Sequence, residues 1–331
     1  MPLLLVIPDP PESGDAARED APDLPALSEL MLHGQASLPD RDWRSGLLRD
    51  LGFGTLVSSA PAGIAARALP LQPGSSVCIA TPVHVVAGMS RVHLHEQGVL
   101  RLTPEQRHGF HASFAAQFGT ELLLHAAGEG WLLEAPWAHV ADDGDPGEWQ
   151  GAPLARNPAA TPAQQAMRRI GAEMEMWLAG SNWNQARERR GELTANLLWL
   201  WGGGLVADRS AVPVAPGICL SADHVDPWLA GVAALAGHAV RPLPPQWSDA
   251  ESSRQTHDPA PGVFILPAAG IESARWQDLE HRWFAPALRD LRARRIDSLT
   301  IRLGCRSWQV RLRRWRRLLQ RSRPWWQLAR A

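Results

Sequence analysis

The run "ANLLWLWGGG", Ala195 to Gly204, restricts the fold more than any other stretch of the chain. After Asn196 it shows no polar alternation before three consecutive glycines, the pattern of a strand covered on both faces, as in a parallel sheet. Glycines at the carboxyl end of such a strand let backbone approach a ligand or take positive φ, and a turn that merely clears Trp199 and Trp201 explains them equally well. The triplet lacks the spacing of a dinucleotide fingerprint or a phosphate loop.

The same alternation recurs along the chain. Leu3 to Ile7 is a compact apolar run stopped by "PDPPESG", which predicts a buried strand and a loop at its carboxyl end. A helix follows, with Asp23 as N-cap, Pro25 in the first turn and Gly34 as its stop. Val77 to Thr81 predicts a second strand, "VHLHEQGVLRLT" an edge strand or hairpin, and "TELLLHAAGEGWLLEAP" a hairpin. Thr103 and Thr161, each followed by proline, start two well-signalled helices; the second carries Met167, Ile170, Met174, Trp177 and Leu178 on one face, which is core packing. "GICLSAD", "HAVRPLP", "GVFILPAAG" and "SLTIRLG" continue as strands separated by helices. The expected architecture is α/β, a mostly parallel doubly wound sheet with a small antiparallel inserted subdomain. The divisions are 1–80 and 151–305 for the core, 81–150 for the insertion and 306–331 for a basic tail.

Composition excludes several classes. A formal net charge of -1 gives no overall attraction to nucleic acid or membrane. The basic residues are all arginine and tyrosine is absent, which reads as codon bias and not as RNA binding. Cys78, Cys219 and Cys305 are too far apart for a zinc site and suit a reducing, cytoplasmic setting. "MPLLLVIPDP" is too short to span a bilayer and lacks a positive leader. Asp142, Asp143 and Asp145 read as a solvated loop. His93 with His95, and His108 with His111, read as surface or packing residues because no carboxylate or cysteine partner has matching spacing.

The patch "NWNQARERRGELTANLLWLWGGG", with "PDLPALSELMLHG" and "VAGMSRVHLHEQGVLRLTPEQ", resembles the RpfE-type regulatory proteins of proteobacteria, a family often labelled phosphoglycerate mutase. That family resembles the archaeal-type cofactor-independent phosphoglycerate mutases, and the resemblance implies an alkaline-phosphatase-like fold. It also implies two divalent metals held by Asp and His beside a Ser or Thr nucleophile. Asp9 stands where one metal-binding Asp is implied. The Asp and His implied after "VFILP" fall on Glu272 and Trp276, and tryptophan cannot bind a metal. The Asp-His pair implied after the last strand is replaced by Cys305, Arg306 and Ser307. Ser58 and Ser59 offer hydroxyls without the surrounding motif, and Trp201 stands where an Arg is implied before the glycines.

The sequence therefore favours a non-catalytic, regulatory or ligand-binding relative, a pseudoenzyme that needs no cofactor. Its candidate pocket comprises Asp9, Asn196, Gly202, Gly203, Gly204, Asp223 and His224, suited to a small phosphorylated ligand or a protein partner. A helix N-cap explains Asp223 equally well. A second reading is an active mutase or phosphatase using manganese or zinc, with Asp9 and Glu272 as weak ligands. A third rests on the tail from Arg306, which holds nine arginines and no acid. There Trp308, Leu312, Trp315 and Leu319 predict a helix face, and Arg311, Arg313, Arg314, Arg316 and Arg317 a basic surface for nucleic acid or an anionic membrane. Docking of that tryptophan stripe on the sheet is the preferred reading of the tail.

Overall fold

A computed structural model describes residues 3–8, 22–88, 91–154, 159, 161–208, 219–249, 262–267, 273–312 and 323–329. The chain divides into two compact units, Met1–Ser58 with Ala215–His224 and Ala236–Ala331, and Ser59–Val214 with Val225–Leu235. Elements are numbered along the chain.

The first unit holds β1 (Leu3–Ile7), β2 (Gly34–Ala36), β8 (Cys219–Ala222), β9 (Arg241–Pro242), β10 (Gly262–Ile265), β11 (Leu299–Leu303) and β12 (Arg306–Val310). Their order across the sheet is β2-β12-β11-β1-β10-β8-β9. Strands β11, β1, β10, β8 and β9 run parallel, and β12 and β2 add an antiparallel edge. All five residues of β1 are buried, as its unbroken apolar run requires at the centre of a two-faced sheet. One face packs on α1 (Pro25–His33), α8 (Ser273–Leu279), α9 (Ala285–Ala293) and α10 (Trp325–Leu328), with Leu5, Leu27, Trp276, Phe284 and Trp325 in its core.

Helix α1 begins at the expected Pro25, but its N-cap is Leu24 and not Asp23, and no side chain of its own caps it. Glu280 does so from across the core, accepting from the Ala26 amide at 2.5 Å and the Leu27 amide at 3.2 Å. Burial pushes its carboxyl above the ordinary value, while those two amides pull it back. Glu280 opens a π-helical turn, Glu280–Phe284, between α8 and α9. Pro286 follows it; proline lacks the amide a regular helix needs, and the widened turn lets the long helix pass through that point.

The second unit is built on an antiparallel sheet of β3 (Ser76–Ala87), β4 (Val92–Val99), β5 (Leu123–Ala127), β6 (Gly130–Glu134) and β7 (Leu197–Leu205). Helices α4 (Pro104–Phe118) and α5 (Pro162–Gly180) start on complete capping boxes at Thr103 and Thr161. With α6 (Asn182–Arg189) they enclose an aromatic core in which Phe110 lies 4.8 Å from Trp131 and 5.1 Å from Trp183 between ring centres. Helices α3 (Pro61–Ala65) and α7 (Pro227–Ala236, as far as Leu235) also lie in this unit, whereas α2 (Trp43–Asp50) belongs to the first.

Two expectations are corrected. The run from Leu197 belongs to the antiparallel sheet, where β7 pairs with β3. A continuous apolar run reports burial of both faces and says nothing about the direction of its neighbour. Trp308 begins no helix: residues 306–310 form the strand β12, antiparallel to β11 across a turn at Gly304, whose φ is 52°. Leu312 lies beyond that strand, and Trp315 and Leu319 lie outside the described residues.

Candidate functional site

In a parallel sheet the strands end along one edge, and ligands gather outside it. In the first unit β1 is followed by Pro8, β8 by Asp223 and His224, β10 by Leu266 and Pro267, and β11 by Gly304. Asp223 is exposed and His224 half-buried there. Asp9 and Glu272 lie outside the described residues. Trp276, at the position implied for a metal-binding histidine, is fully buried and stacks on Trp325 with ring centres 5.1 Å apart. Cys305 is an exposed turn residue and Ser307 is buried in β12. Among the described residues no group of three or more His, Cys, Asp or Glu side chains is arranged to hold a metal. Manganese or zinc therefore has no fitting donor set among them.

Near the same edge lies a charged cluster that the sequence reading missed. Arg302 of β11 has a side chain only 1% exposed. Its Nη1 contacts Asp40 Oδ2 at 3.0 Å and its Nε donates to Asp50 Oδ2 at 2.8 Å. Arg49 pairs with the other oxygen of Asp40. Gly46 of α2 lies directly over the guanidinium: a Cβ there would sit 2.2 Å from Cζ, so no larger residue fits. The signal available in sequence was one arginine inside the apolar strand "SLTIRLG".

The remaining candidates belong to the second unit, where the chain itself occupies the space around them. Asn196 acts as a peptide group: its Oδ1 accepts from the Val85 amide at 2.7 Å and its Nδ2 donates to the Val85 carbonyl at 2.8 Å, extending the β3–β7 ladder. Asn184 does the same for Ala195, with contacts of 2.9 Å and 2.6 Å. Arg187 Nε closes the loop on the Leu193 carbonyl at 2.8 Å. The patch that carries the family resemblance is thus an internal latch of two amides and a guanidinium.

The glycines lie within β7, where the pairing with β3 shifts register. Gly202 has φ 62°, and its amide donates to the Asp143 carbonyl at 3.3 Å; the Gly203 amide donates to the Ala141 carbonyl at 2.7 Å. Cβ atoms at Gly202, Gly203 and Gly204 would meet Pro61, the Ala138 carbonyl and Ala60 at 2.7, 2.3 and 2.5 Å. The glycines permit close approach of the protein's own backbone. Gly203→Ala is expected to destabilise the second unit by about 1–3 kcal/mol through overpacking, read as a lower thermal midpoint. An unchanged midpoint would show that the space beside Gly203 is open.

Among the described residues the histidines join no group of three or more metal-binding side chains. His111 Nε2 bonds the Leu124 carbonyl at 2.8 Å, and His84 meets His95 edge to face at 5.8 Å. Arg311 is exposed, whereas Arg313, Arg314, Arg316 and Arg317 lie outside the described residues. No helix among the described residues is long and apolar enough to cross a membrane.

These observations define a mixed α/β protein with one mainly parallel and one antiparallel sheet. No family model matches the chain and no curated protein matches it. Among solved structures it is similar to the PH0037 protein from Pyrococcus horikoshii, with a TM-score of 0.50 and 13% identity, covering 94% of this chain and 87% of that one. It also matches a cofactor-independent phosphoglycerate mutase from Thermoplasma acidophilum, with a TM-score of 0.40 and 17% identity over 94% of this chain and 90% of the other. At 13% identity, what this chain shares with the PH0037 protein is the course of the chain.

Proposed function

We propose that the chain is a non-catalytic, RpfE-type relative of the cofactor-independent phosphoglycerate mutases, with an alkaline-phosphatase-like fold. It acts by binding a small phosphorylated ligand or a protein partner, in a regulatory role. The observation that carries this reading is Trp276: the position implied for a metal ligand is built into the hydrophobic core against Trp325. A side chain committed to packing on one face of the sheet does not reach a ligand at the strand ends. The binding surface in this reading is the carboxyl edge of the first unit, with Asp223 and His224 among the polar groups it offers.

The second reading is a metal-dependent mutase or phosphatase, favoured by the position of Asp223 and His224 at the end of β8. One experiment separates the two. Full-length protein purified after manganese and zinc supplementation is expected to carry no stoichiometric metal and to leave 2- and 3-phosphoglycerate unchanged. Bound metal together with turnover would replace the first reading by the second.

A further inference from the structure

Asp223 and His224 lie between two residues whose backbones are fixed. Ala222 closes β8, in register with Ile265 of β10 and Pro242 of β9, and its carbonyl accepts from the Leu243 amide at 3.1 Å. Val225 is held at both of its backbone polar groups by one residue. Glu129 Oε1 accepts from the Val225 amide at 3.2 Å, and the Glu129 amide donates to the Val225 carbonyl at 2.6 Å. We infer that Glu129 is a positioning residue for the Asp223–His224 pair: it fixes the peptide bond that follows His224, so that the pair stands in one conformation before a ligand arrives. The inference rests on the reading of that pair as part of the binding surface.

The tip of the β5–β6 hairpin is shaped around the segment it holds. Glu129 stands there between Gly128 and Gly130. Gly128 has φ 57°, and a Cβ on it would lie 2.3 Å from the Val225 carbonyl oxygen and 3.1 Å from that of Asp226. A Cβ on Gly130 would lie 2.9 Å from Pro227 Cδ. The second carboxylate oxygen of Glu129 is 3.4 Å from Arg107 Nη1, which also donates to the Leu102 carbonyl at 2.9 Å and so ties the clamp to α4. An ionised acceptor makes the bond to the Val225 amide stronger than a neutral one would. Glu129, Arg107, Val225 and both glycines belong to the second unit, and the chain passes from the first unit to the second at the His224–Val225 bond. Glu129 therefore acts on His224 through the covalent chain.

Helix capping does not account for Asp223. The cap of α7 is Asp226, whose Oδ1 accepts from the Leu229 amide at 2.7 Å and whose carbonyl accepts from the Ala230 amide at 3.0 Å. Two residues between two fixed points have few conformations open to them, and a ligand that meets such a segment loses less entropy in ordering it.

The imidazole carbon–proton resonance of His224 in the full chain, identified by its loss in His224→Gln, reports this placement. Glu129→Ala removes the acceptor of the Val225 amide and is expected to shift or split that resonance. Glu129→Gln keeps an Oε1 acceptor, loses the charge facing Arg107, and is expected to retain the wild-type signal. An unchanged resonance in Glu129→Ala, or an equal change in Glu129→Gln, overturns the inference. Should Glu129→Ala fail to fold, exchange of the Val225 amide in the wild-type protein decides: protection matching that of Leu229 and Ala230 supports the clamp, and exchange at the rate of an open chain overturns it. Titration with 3-phosphoglycerate and with inorganic phosphate tests the underlying reading separately. Where the wild-type His224 signal responds, Glu129→Ala is expected to need an about three- to tenfold higher concentration, because apparent affinity falls with the fraction of protein in the presented conformation. Equal midpoints overturn the inference. A wild-type signal that ignores both probes removes the phosphorylated-ligand reading, and the His224 resonances of the free proteins still decide on Glu129.

Discussion

Replacing Arg302 by leucine is expected to destabilise the first unit by about 3–5 kcal/mol, because it removes the buried guanidinium from Asp40 and leaves that carboxylate to the largely exposed Arg49. The loss is read as a lower urea midpoint followed by circular dichroism. Combining Arg302→Leu with Asp40→Asn and Asp50→Asn is expected to recover part of it, since no carboxylate charge is then left beside the missing guanidinium. An Arg302→Leu midpoint within experimental error of the wild type would mean that Asp40 reaches water in solution, contrary to its 1% exposure.

The second large effect is expected at Trp276. Trp276→Ala removes a fully buried indole and its stacking on Trp325, at a cost of about 3–5 kcal/mol. Trp325 is further held by its amide to Ser28 Oγ at 2.9 Å and its indole to the Pro22 carbonyl at 3.1 Å, so the substitution also loosens the anchor of α10 on α1. Differential scanning calorimetry measures the loss. Trp276→His is the informative companion: it restores the residue type implied by the family resemblance, yet it is expected to lower stability without a manganese- or zinc-dependent rise in the thermal midpoint. Such a rise would place residue 276 at a metal site.

What could be read from sequence was local chemistry. Thr103 and Thr161 carry their capping partners three residues away, so both helix starts were visible in a short window. The Leu3–Ile7 run declared its own burial. Information held by distant partners was not visible. Glu280 caps a helix 254 residues earlier, and Arg302 pairs with Asp50 252 residues away. The glycines of β7 announced close approach, but the approaching group, their own chain at Pro61, Ala138 and Ala60, is supplied only by the folded structure. Trp308 suited a helix face and a strand equally, and the turn at Gly304 decided for the strand.

The order of the seven-stranded sheet also fixes a schedule for the ribosome. Strand β1 is made long before both its neighbours, β10 and β11, which come from Gly262–Ile265 and Leu299–Leu303. The second unit needs nothing beyond Leu235 and can finish while the first still lacks its centre. Until those two strands are made, "LLLVI" has neither of its sheet partners, and an apolar strand in that condition is the kind of segment that associates with other chains or recruits a chaperone.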